Sequence, residues 1–330
     1  PPTGLTGPPL PLSAERASAG LWGMYTENVG KDVVLFSRAV LTNQLARFAP
    51  GWFMALTHHT GRGDGEGDAQ SRLPTDYFFR CFHDYREHLG YGEAGFRKFL
   101  HGKAVLEYGP GDTLGIALLL YAHGAEFVHC VDRFPLERAS ERTLRTYRDL
   151  IDRLDGEVRE RACGAFLVHG DPASGFDPER IRYSVTDHGL VNERDSYDLI
   201  LSRSVLEHVD RLETTLDDMA LALKPDGLSI HKVDLKSHNA DRYQPYDFLT
   251  WPEPLYRWMY SHKGRPNRWR VDKYRECVDR AGLRFRELTD TGRLDAAQIE
   301  RIRPKLASRF RDLPTDELSW LGFWMVLEHA

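Results

Sequence analysis

The sequence predicts an α/β fold built on a doubly wound, mostly parallel β-sheet. Three observations predict it. Residues 104–132 have the pattern strand, glycine turn, helix, strand. Residues 197–202 (YDLILS) have a continuous Leu-Ile-Leu core, which fits a strand buried on both faces. Strand-like and helix-like apolar segments alternate through the centre of the chain. We expect an antiparallel last strand, an N-terminal helical addition and an insert after the fifth strand to complete this fold.

The composition is typical of a soluble globular protein. The chain has 330 residues, of which 41% are hydrophobic and 28% charged, and its net charge of -5 argues against wholesale nucleic-acid binding. It contains no apolar run near the ~18 residues that span a bilayer, and residues 1–13 lack the features of a signal peptide, so we expect a cytoplasmic protein. Cys81, Cys130, Cys163 and Cys277 show no C-x-x-C spacing and are expected to be reduced thiols.

The first hundred residues predict helices that precede the sheet. Residues 31–48 carry apolar side chains at helical spacing and are followed by Pro50-Gly51, whereas the glycine-rich residues 61–68 predict a loop. Residues 76–89 resume the helical pattern with five aromatic side chains. Such side chains either pack in the core or, above a ligand site, line a substrate pocket.

The segment of residues 104–132 is the centre of the predicted sheet. A short strand runs into Gly109 and Gly111, and an apolar helix and a second strand follow. Both glycines let the backbone turn sharply and approach a ligand, while the free N–H groups of the helix attract negative charge. We therefore expect a nucleotide-like ligand at this turn.

The spacing around the turn indicates which ligand. Gly115 comes one residue too late for the dinucleotide fingerprint, and Glu107 would repel a pyrophosphate but suits a cationic group. Asp132, 21 residues after Gly111, is placed to accept hydrogen bonds from both ribose hydroxyls. These residues resemble the first motif of the class I S-adenosylmethionine-dependent methyltransferases, which implies a Rossmann-like sheet and that cofactor. A glycine turn with a chance acid in an unrelated α/β protein is the alternative.

The resemblance implies a cofactor site made at the ends of four strands. Its members are Glu107, Tyr108, Gly109, Gly111, Asp132, Arg133, Asp187 and Ser202. Asp187 follows the third strand, which is residues 166–169 or, as we prefer, 181–185. It resembles the family's acid that contacts the adenine amino group, although a solvent-exposed turn aspartate is nearly as good an interpretation.

A second motif follows the fourth strand. Residues 203–209 (RSVLEHV) resemble the family segment that passes under the methionine part of the cofactor. The residues 224–227 (KPDG) predict a turn before the fifth strand. The remaining predicted elements are helices at 136–154, 212–223 and 271–281 and strands at 228–233, 284–288 and 320–328, the last two forming an antiparallel hairpin.

The residues that would carry the chemistry lie at the ends of the fourth and fifth strands. Methyl transfer needs an aligned acceptor that loses a proton, and His208, Asp234 and His238 are the candidate catalytic residues. The spacing of His231, Asp234 and His238 also fits a divalent cation. Because isolated histidines are more often packing residues, we favour a site without a metal.

We divide the chain into a helical cap, residues 1–100, and a core, residues 101–330, with a substrate-facing insert at 239–270. Residues 257–275 hold seven basic residues against one acid, Asp272, and aromatic residues are interleaved with them. They suit a phosphate or carboxylate on the acceptor, or a stacked single-stranded nucleic acid, unless they form a solvated basic face over packed aromatics.

The leading function is O-methylation of a small molecule, such as a natural product or a sugar-like metabolite, which can be anionic. RNA methylation is the weaker alternative, since overall acidity opposes long-range attraction to phosphate. A cofactor-binding protein that has lost catalysis and serves as a partner subunit is the second alternative. We expect no membrane span, and homo-oligomerisation stays open.

Overall fold

A computed structural model describes residues 25–49, 52–53, 74–136, 139–238 and 240–330, without the side chain of Asp187. Its strands are β1 (Ala104–Tyr108), β2 (Phe127–Asp132), β3 (Ile181–Val185), β4 (Tyr197–Arg203), β5 (Leu223–Asp234), β6 (Leu283–Arg293) and β7 (Trp320–His329). Its helices are α1 (Val29–Phe48), α2 (Pro74–His88), α3 (Glu93–Leu100), α4 (Gly115–Ala122), α5 (Glu141–Asp152), α6 (Gly156–Cys163), α7 (Leu212–Ala222), α8 (Glu253–Tyr260), α9 (Val271–Arg280), α10 (Ala296–Ile302), α11 (Ser308–Arg311) and α12 (Thr315–Ser319). The predicted loop at 61–68 lies outside the described residues.

The strands form one seven-stranded sheet of order β3-β2-β1-β4-β5-β7-β6. The first five strands in this order pair in parallel, and β7 pairs antiparallel with both β5 and β6. The strand preference for residues 181–185 over 166–169 is confirmed. The predicted α/β fold, a mostly parallel doubly wound sheet with an antiparallel end, is thereby confirmed.

Helix α4 and strand β4 hold the centre of the sheet together. Every residue of α4 is buried, and so are Leu199, Ile200 and Leu201 in β4. Burying a Leu or Ile side chain stabilises the fold by about 1.5–3 kcal/mol, so this apolar layer fixes the strand ends that border the site.

The predicted turn before the fifth strand is wrong. Residues 224–227 belong to β5, which starts at Leu223 and runs to Asp234. Tyr197 of β4 pairs with Leu223, but Leu199 pairs with Leu228, so the extra residues are taken up as an irregularity within the ladder. Proline is tolerated there because a bulge needs no ladder N–H at that point.

The two last strands pair as predicted, but they are not joined by a tight hairpin. Helices α10, α11 and α12 lie between them, and the sequence analysis assigned no element there. Their apolar side chains form one cluster with Tyr246, Phe248 and Leu249 of the insert. The connection between β6 and β7 therefore packs against the insert and stabilises it.

The N-terminal helices pack in two different places. Phe82 and Tyr85 of α2 and Phe96 of α3 belong to the core cluster of the sheet, whereas α1 packs against α8 of the insert. None of the described helices is long and apolar enough to cross a membrane. All four cysteines are free thiols. The division of the chain at residues 100 and 101 stays a prediction.

Helix α1 buries a different face from the one its apolar residues indicated. Val34, Leu41 and Phe48 are 68%, 71% and 74% exposed, while Ala39 and Asn43 are buried. The side-chain amide of Asn43 donates to the carbonyl of Trp258 (2.9 Å) and accepts from the N–H of His262 (2.9 Å). Close packing and specific hydrogen bonds to the insert, rather than apolar area, therefore orient this helix.

Candidate functional site

A cavity of about 2150 Å³ opens at the carboxyl ends of β1, β2, β4 and β5. Residues of α1, α2 and the insert close its other sides. Strand ends of an open α/β sheet are where ligands bind, because the turns that follow them diverge there. The volume exceeds the ~300–1,000 Å³ that holds one small ligand, so two ligands fit side by side.

The glycine turn after β1 borders this cavity. Gly109 and Gly111 have φ of +61° and +84°, which L-residues rarely adopt. A Cβ at Gly109 would lie 2.5 Å from a methyl group of Val205, and one at Gly115 would lie 2.6 Å from the Phe78 ring. The absence of a Cβ at these two positions therefore allows close packing of the segment after β4 and of α2, while Gly109 and Gly111 also line the cavity.

Glu107 and Tyr108 end β1 in different environments. The Glu107 carboxyl is buried and accepts a hydrogen bond from the Cys130 thiol (3.6 Å). Burial raises the pKa of Glu107 to about 8, an effect that the thiol contact partly offsets. Tyr108 lines the cavity, but its hydroxyl donates to Asp218 (2.6 Å) inside the core. Any contact of Tyr108 with a ligand must involve other atoms.

Asp132 lies at the end of β2 and lines the cavity. Its carboxylate is almost fully buried and accepts a hydrogen bond from the N–H of Phe134 (3.1 Å). Next to it, Arg133 donates to Asp210 (3.0 Å). The short helical turn Asp187–Gly189 packs against the same strand end, since a Cβ at Gly189 would lie 3.4 Å from the backbone nitrogen of Arg133. The backbone of Asp187 is thus beside Asp132, while its side chain is outside the described part of the structure.

Three predicted residues, Glu107, Ser202 and His231, do not line the cavity. The Ser202 hydroxyl is fully buried, 2.7 Å from Nδ1 of His231, and the other ring nitrogen of His231 contacts Ser229. Burial lowers the pKa of His231 to about 3, so this imidazole is neutral. The candidate cofactor contact through the Ser202 side chain and the candidate metal set containing His231 are therefore wrong, because strand alternation turns both side chains inward.

The three candidate catalytic residues do meet, at the end of the cavity beside β4 and β5. The rings of His208 and His238 are 4.9 Å apart in an edge-to-face arrangement. Nε2 of His238 lies 3.7 Å from the Asp234 carboxylate, and Glu207 accepts a hydrogen bond from the Asp234 N–H (3.3 Å). Burial lowers the pKa of His238, and the Asp234 carboxylate partly offsets this. The sequence analysis did not predict Glu207 as a site residue, although it belongs to the segment 203–209 (RSVLEHV).

Most charged residues around the cavity are cationic. The lining includes nine basic residues and three acidic ones, Asp112, Asp132 and Asp234. The basic residues are Lys31, Arg38, Arg133, Arg142, Arg203, Lys232, Lys236, Lys263 and Arg265. Only two of the nine belong to the insert's predicted basic set, so most of this charge converges through tertiary structure.

Two other insert arginines have structural roles. Arg268 is buried and donates to the Trp251 carbonyl (2.7 Å), and Arg270 is buried and donates to the Leu235 carbonyl (2.8 Å). Neither contributes to a basic surface. Two of the cations that the sequence suggested for binding a single-stranded nucleic acid are therefore inaccessible to it.

Lys263 joins the insert to α1. Its ammonium donates to the Ala39 carbonyl and to the Thr42 hydroxyl, both at 2.8 Å. Burial, together with Arg265 and Arg38, lowers the pKa of Lys263 to about 7. Even with this amine half neutral, the basic residues of the lining outnumber the acidic ones.

The aromatic residues of α2 divide between the two roles that were considered. Tyr77 and Phe78 line the cavity, whereas Phe82 and Tyr85 are buried in the core. Phe78, Phe82 and Tyr85 share one face of the helix, so the split follows position along it: the first pair lies near the helix start, beside the cavity, and the second pair lies one to two turns further on.

Comparisons with known proteins identify the family. The family model described as "Methyltransferase domain" matches residues 85–288. A search of curated proteins finds no match. Among solved structures, the chain is similar to an S-adenosylmethionine-dependent methyltransferase from Mesorhizobium loti, at 18% identity over 72% of this chain and 99% of that chain, with a TM-score of 0.38. It is also similar to a TehB-like S-adenosylmethionine-dependent methyltransferase from Corynebacterium glutamicum, at 16% identity over 78% of this chain and 98% of that chain, with a TM-score of 0.36.

The matched span contains the first five strands, the glycine turn and the segment with Glu207 and His208. It makes up more than half of the chain and includes the strand ends around the cavity. The protein therefore belongs to the class I S-adenosylmethionine-dependent methyltransferases.

Proposed function

We propose that this methyltransferase transfers the methyl group to a hydroxyl oxygen of an anionic small molecule, such as a natural product or a sugar-like metabolite. The observation that carries the proposal is the charge of the cavity lining, nine basic residues against three acidic ones. An arginine or lysine facing a cavity gains most from a phosphate or carboxylate, because charge-assisted hydrogen bonds are about twice as strong as neutral ones.

The cofactor is proposed to lie along the β1 and β2 ends of the cavity. Asp132 would accept hydrogen bonds from the ribose, the turn of Gly109 and Gly111 would allow close approach, and the buried Glu107 would lie near the cationic methionyl end. An acid that ionises beside a cation, as Glu107 would, suits the methionyl group and disfavours a pyrophosphate. When bound, S-adenosylmethionine supplies an electrophilic methyl group, and the chain's own task is to hold and align both molecules.

The acceptor is proposed to occupy the other end of the cavity. Lys31 and Arg38 of α1, and Arg265 of the insert, line it and would bind the acceptor's negative group. His208, His238 and Asp234 would face the hydroxyl that loses its proton. With the two histidines uncharged, each ring has a nitrogen that can accept that proton.

Replacing Asp132 by alanine is expected to weaken cofactor binding about five- to a hundredfold. The substitution removes hydrogen bonds to two hydroxyls, each worth about 0.5–1.5 kcal/mol. Calorimetric titration with the demethylated cofactor measures the change, and Asp152→Ala, an exposed substitution in α5, is the matched control. Equal affinity of the Asp132→Ala variant and the wild type would contradict the placement.

Cofactor binding at pH 7 is expected to release close to one proton. A group with a pKa of about 8 is about nine-tenths protonated at pH 7, and a cation placed beside Glu107 favours its ionised form. Affinity should therefore rise with pH until the pH passes about 8 and then level off. Calorimetry in buffers of different ionisation enthalpy counts the proton, and Glu107→Gln should abolish its release. Release that persists in this variant would assign the proton to another group.

A direct test of the acceptor class uses methyl-labelled cofactor and a cell extract divided by size and charge. We expect label in a small component that an anion exchanger retains. The charge-reversing variant Arg38→Glu should reduce this transfer, whereas Arg159→Glu, at an exposed ion pair of α6, should not. Label in RNA would support the alternative acceptor. Cofactor binding without transfer to any fraction would support a non-catalytic partner protein.

A further inference from the structure

We propose that Glu207, His208 and His238 bind one first-row divalent metal ion at the acceptor end of the cavity. One ligand atom from each of these side chains lies within 4.8 Å of the other two. Two imidazoles and a carboxylate suit zinc, iron, cobalt, nickel or manganese, whereas magnesium and calcium prefer oxygen ligands alone. The set differs from the one that sequence spacing offered, which contained His231.

The ligand-bearing segments are firmly anchored. Glu207 and His208 stand on the short helical turn Leu206–His208, directly after β4. Asn267 of the insert holds this turn through two hydrogen bonds, from its N–H to the Glu207 carbonyl (2.6 Å) and from its side-chain amide to the Leu206 carbonyl (2.8 Å). Glu207 and His208 are both buried. A preorganised carboxylate and imidazole lose little freedom when they bind an ion.

The backbone of His238 is held in a conformation that needs a reason. Its φ of +47° lies in the left-handed region, which costs a non-glycine residue of order 1–3 kcal/mol. The carbonyl of His238 accepts a hydrogen bond from Arg265 (2.7 Å), which fixes this conformation. The result is that the imidazole stands 4.9 Å from that of His208. Its Nε2 is buried and makes no hydrogen bond with any residue that the structure describes.

Asp234 completes the surroundings of the site. Its carboxylate lies 3.7 Å from Nε2 of His238, beyond hydrogen-bond distance but close enough to become a further ligand or to orient the imidazole after a small rotation. Tetrahedral zinc with bonds of about 2.1 Å places its ligand atoms about 3.4 Å apart, so the three ligands need only side-chain rotation to close on an ion. The carboxylates of Glu207 and Asp234 offset the positive charge of Lys236 and Arg265, which lie near His238.

The role of the ion rests on the proposed function, although its binding does not. An ion at this place would bind the acceptor's hydroxyl oxygen and lower the pKa of that hydroxyl. The proton would pass to Asp234 or to water, the oxygen would form a bond to the methyl carbon, and the carbon–sulfur bond would break with its electron pair left on sulfur. The charges balance, because a sulfonium becomes a neutral thioether.

The test uses full-length protein freed of metal by a chelator. Titration with Co²⁺ is expected to produce visible absorption bands that reach a plateau at one ion per chain, and equilibrium dialysis with Zn²⁺ should give the same stoichiometry. His238→Ala and Glu207→Gln should each weaken binding by at least about tenfold. His83→Ala removes an exposed histidine of α2 and should change nothing.

The controls make each outcome decisive. Circular dichroism checks that the variants fold. If His238→Ala does not fold, the nearly isosteric Glu207→Gln is used for the binding test instead. No stoichiometric Co²⁺ or Zn²⁺ binding to the folded wild type would overturn the proposal, as would unchanged binding in a folded His238→Ala or Glu207→Gln protein. Calorimetry with the demethylated cofactor on the same metal-free protein tests the cofactor site separately, so the two proposals fail independently.

Discussion

Replacing His208 by alanine is expected to lower kcat by roughly two to four orders of magnitude, the usual effect of losing a group that handles the transferred proton. His208 lines the cavity but is not among the residues proposed to bind the cofactor, so cofactor affinity should stay within a few-fold of wild type. Single-turnover assays measure the first quantity and calorimetry the second. His83→Ala, in the exposed part of α2, is the control.

The outcome also locates the proton acceptor. If His208→Ala keeps most of its turnover while His238→Ala or Asp234→Ala loses it, the essential group belongs to the end of β5. Activity that disappears with a chelator and returns with Zn²⁺ or Co²⁺ would assign the histidines to an ion. If all three variants remain active, alignment alone drives the transfer, and the assignment of a proton-accepting group is wrong.

Replacing Asp32 by alanine is expected to cost about 3–5 kcal/mol of the free energy of unfolding, the range seen when one partner of a buried ion pair is removed. Both side chains of the Asp32–Arg242 pair are fully buried, with 2.9 Å between their charged atoms. Arg242 also donates to the Thr250 hydroxyl (2.6 Å). Its guanidinium therefore cannot become exposed to water without losing this hydrogen bond within the insert. The variant would leave a buried guanidinium without its main counter-charge.

Denaturant unfolding measures this loss. Asp152→Ala, which removes an exposed partner of Arg159, should cost no more than about 1 kcal/mol. Asp32 joins α1 to the insert. In the folded fraction of Asp32→Ala, the affinity for the acceptor should therefore fall further below its wild-type value than the affinity for the cofactor does. A loss below about 1 kcal/mol in Asp32→Ala would show that the pair does not hold these two elements together.

Much of the fold could be predicted because its signals are local. The turn of Gly109 and Gly111 lies between a strand and an apolar helix within thirty residues, and the continuous apolar run of β4 indicates burial on both faces. The buried face of α1 could not be predicted. It is set by Asn43 and Ala39 against α8, and hydrogen bonds to a segment more than two hundred residues away leave no periodicity in the sequence.

The site was predictable in part for the same reason. Asp132, His208 and Asp234 lie at strand ends or just after them, where topology alone brings them to one edge of the sheet. The inward side chains of Ser202 and His231 depend on strand register, which a single residue reverses. The basic residues of α1 that line the cavity could not be predicted, because they reach it only through the packing of α1 against the insert.

The central claim is that cofactor and acceptor share the cavity at the strands' carboxyl ends, and a crystal structure with the demethylated cofactor tests it most directly. The expected result places the ribose hydroxyls about 2.7–3.2 Å from the Asp132 carboxylate. The sulfur should point toward His208 and His238, with open space between for the acceptor. A cofactor bound elsewhere, or one whose sulfur points away from both histidines, would contradict this account.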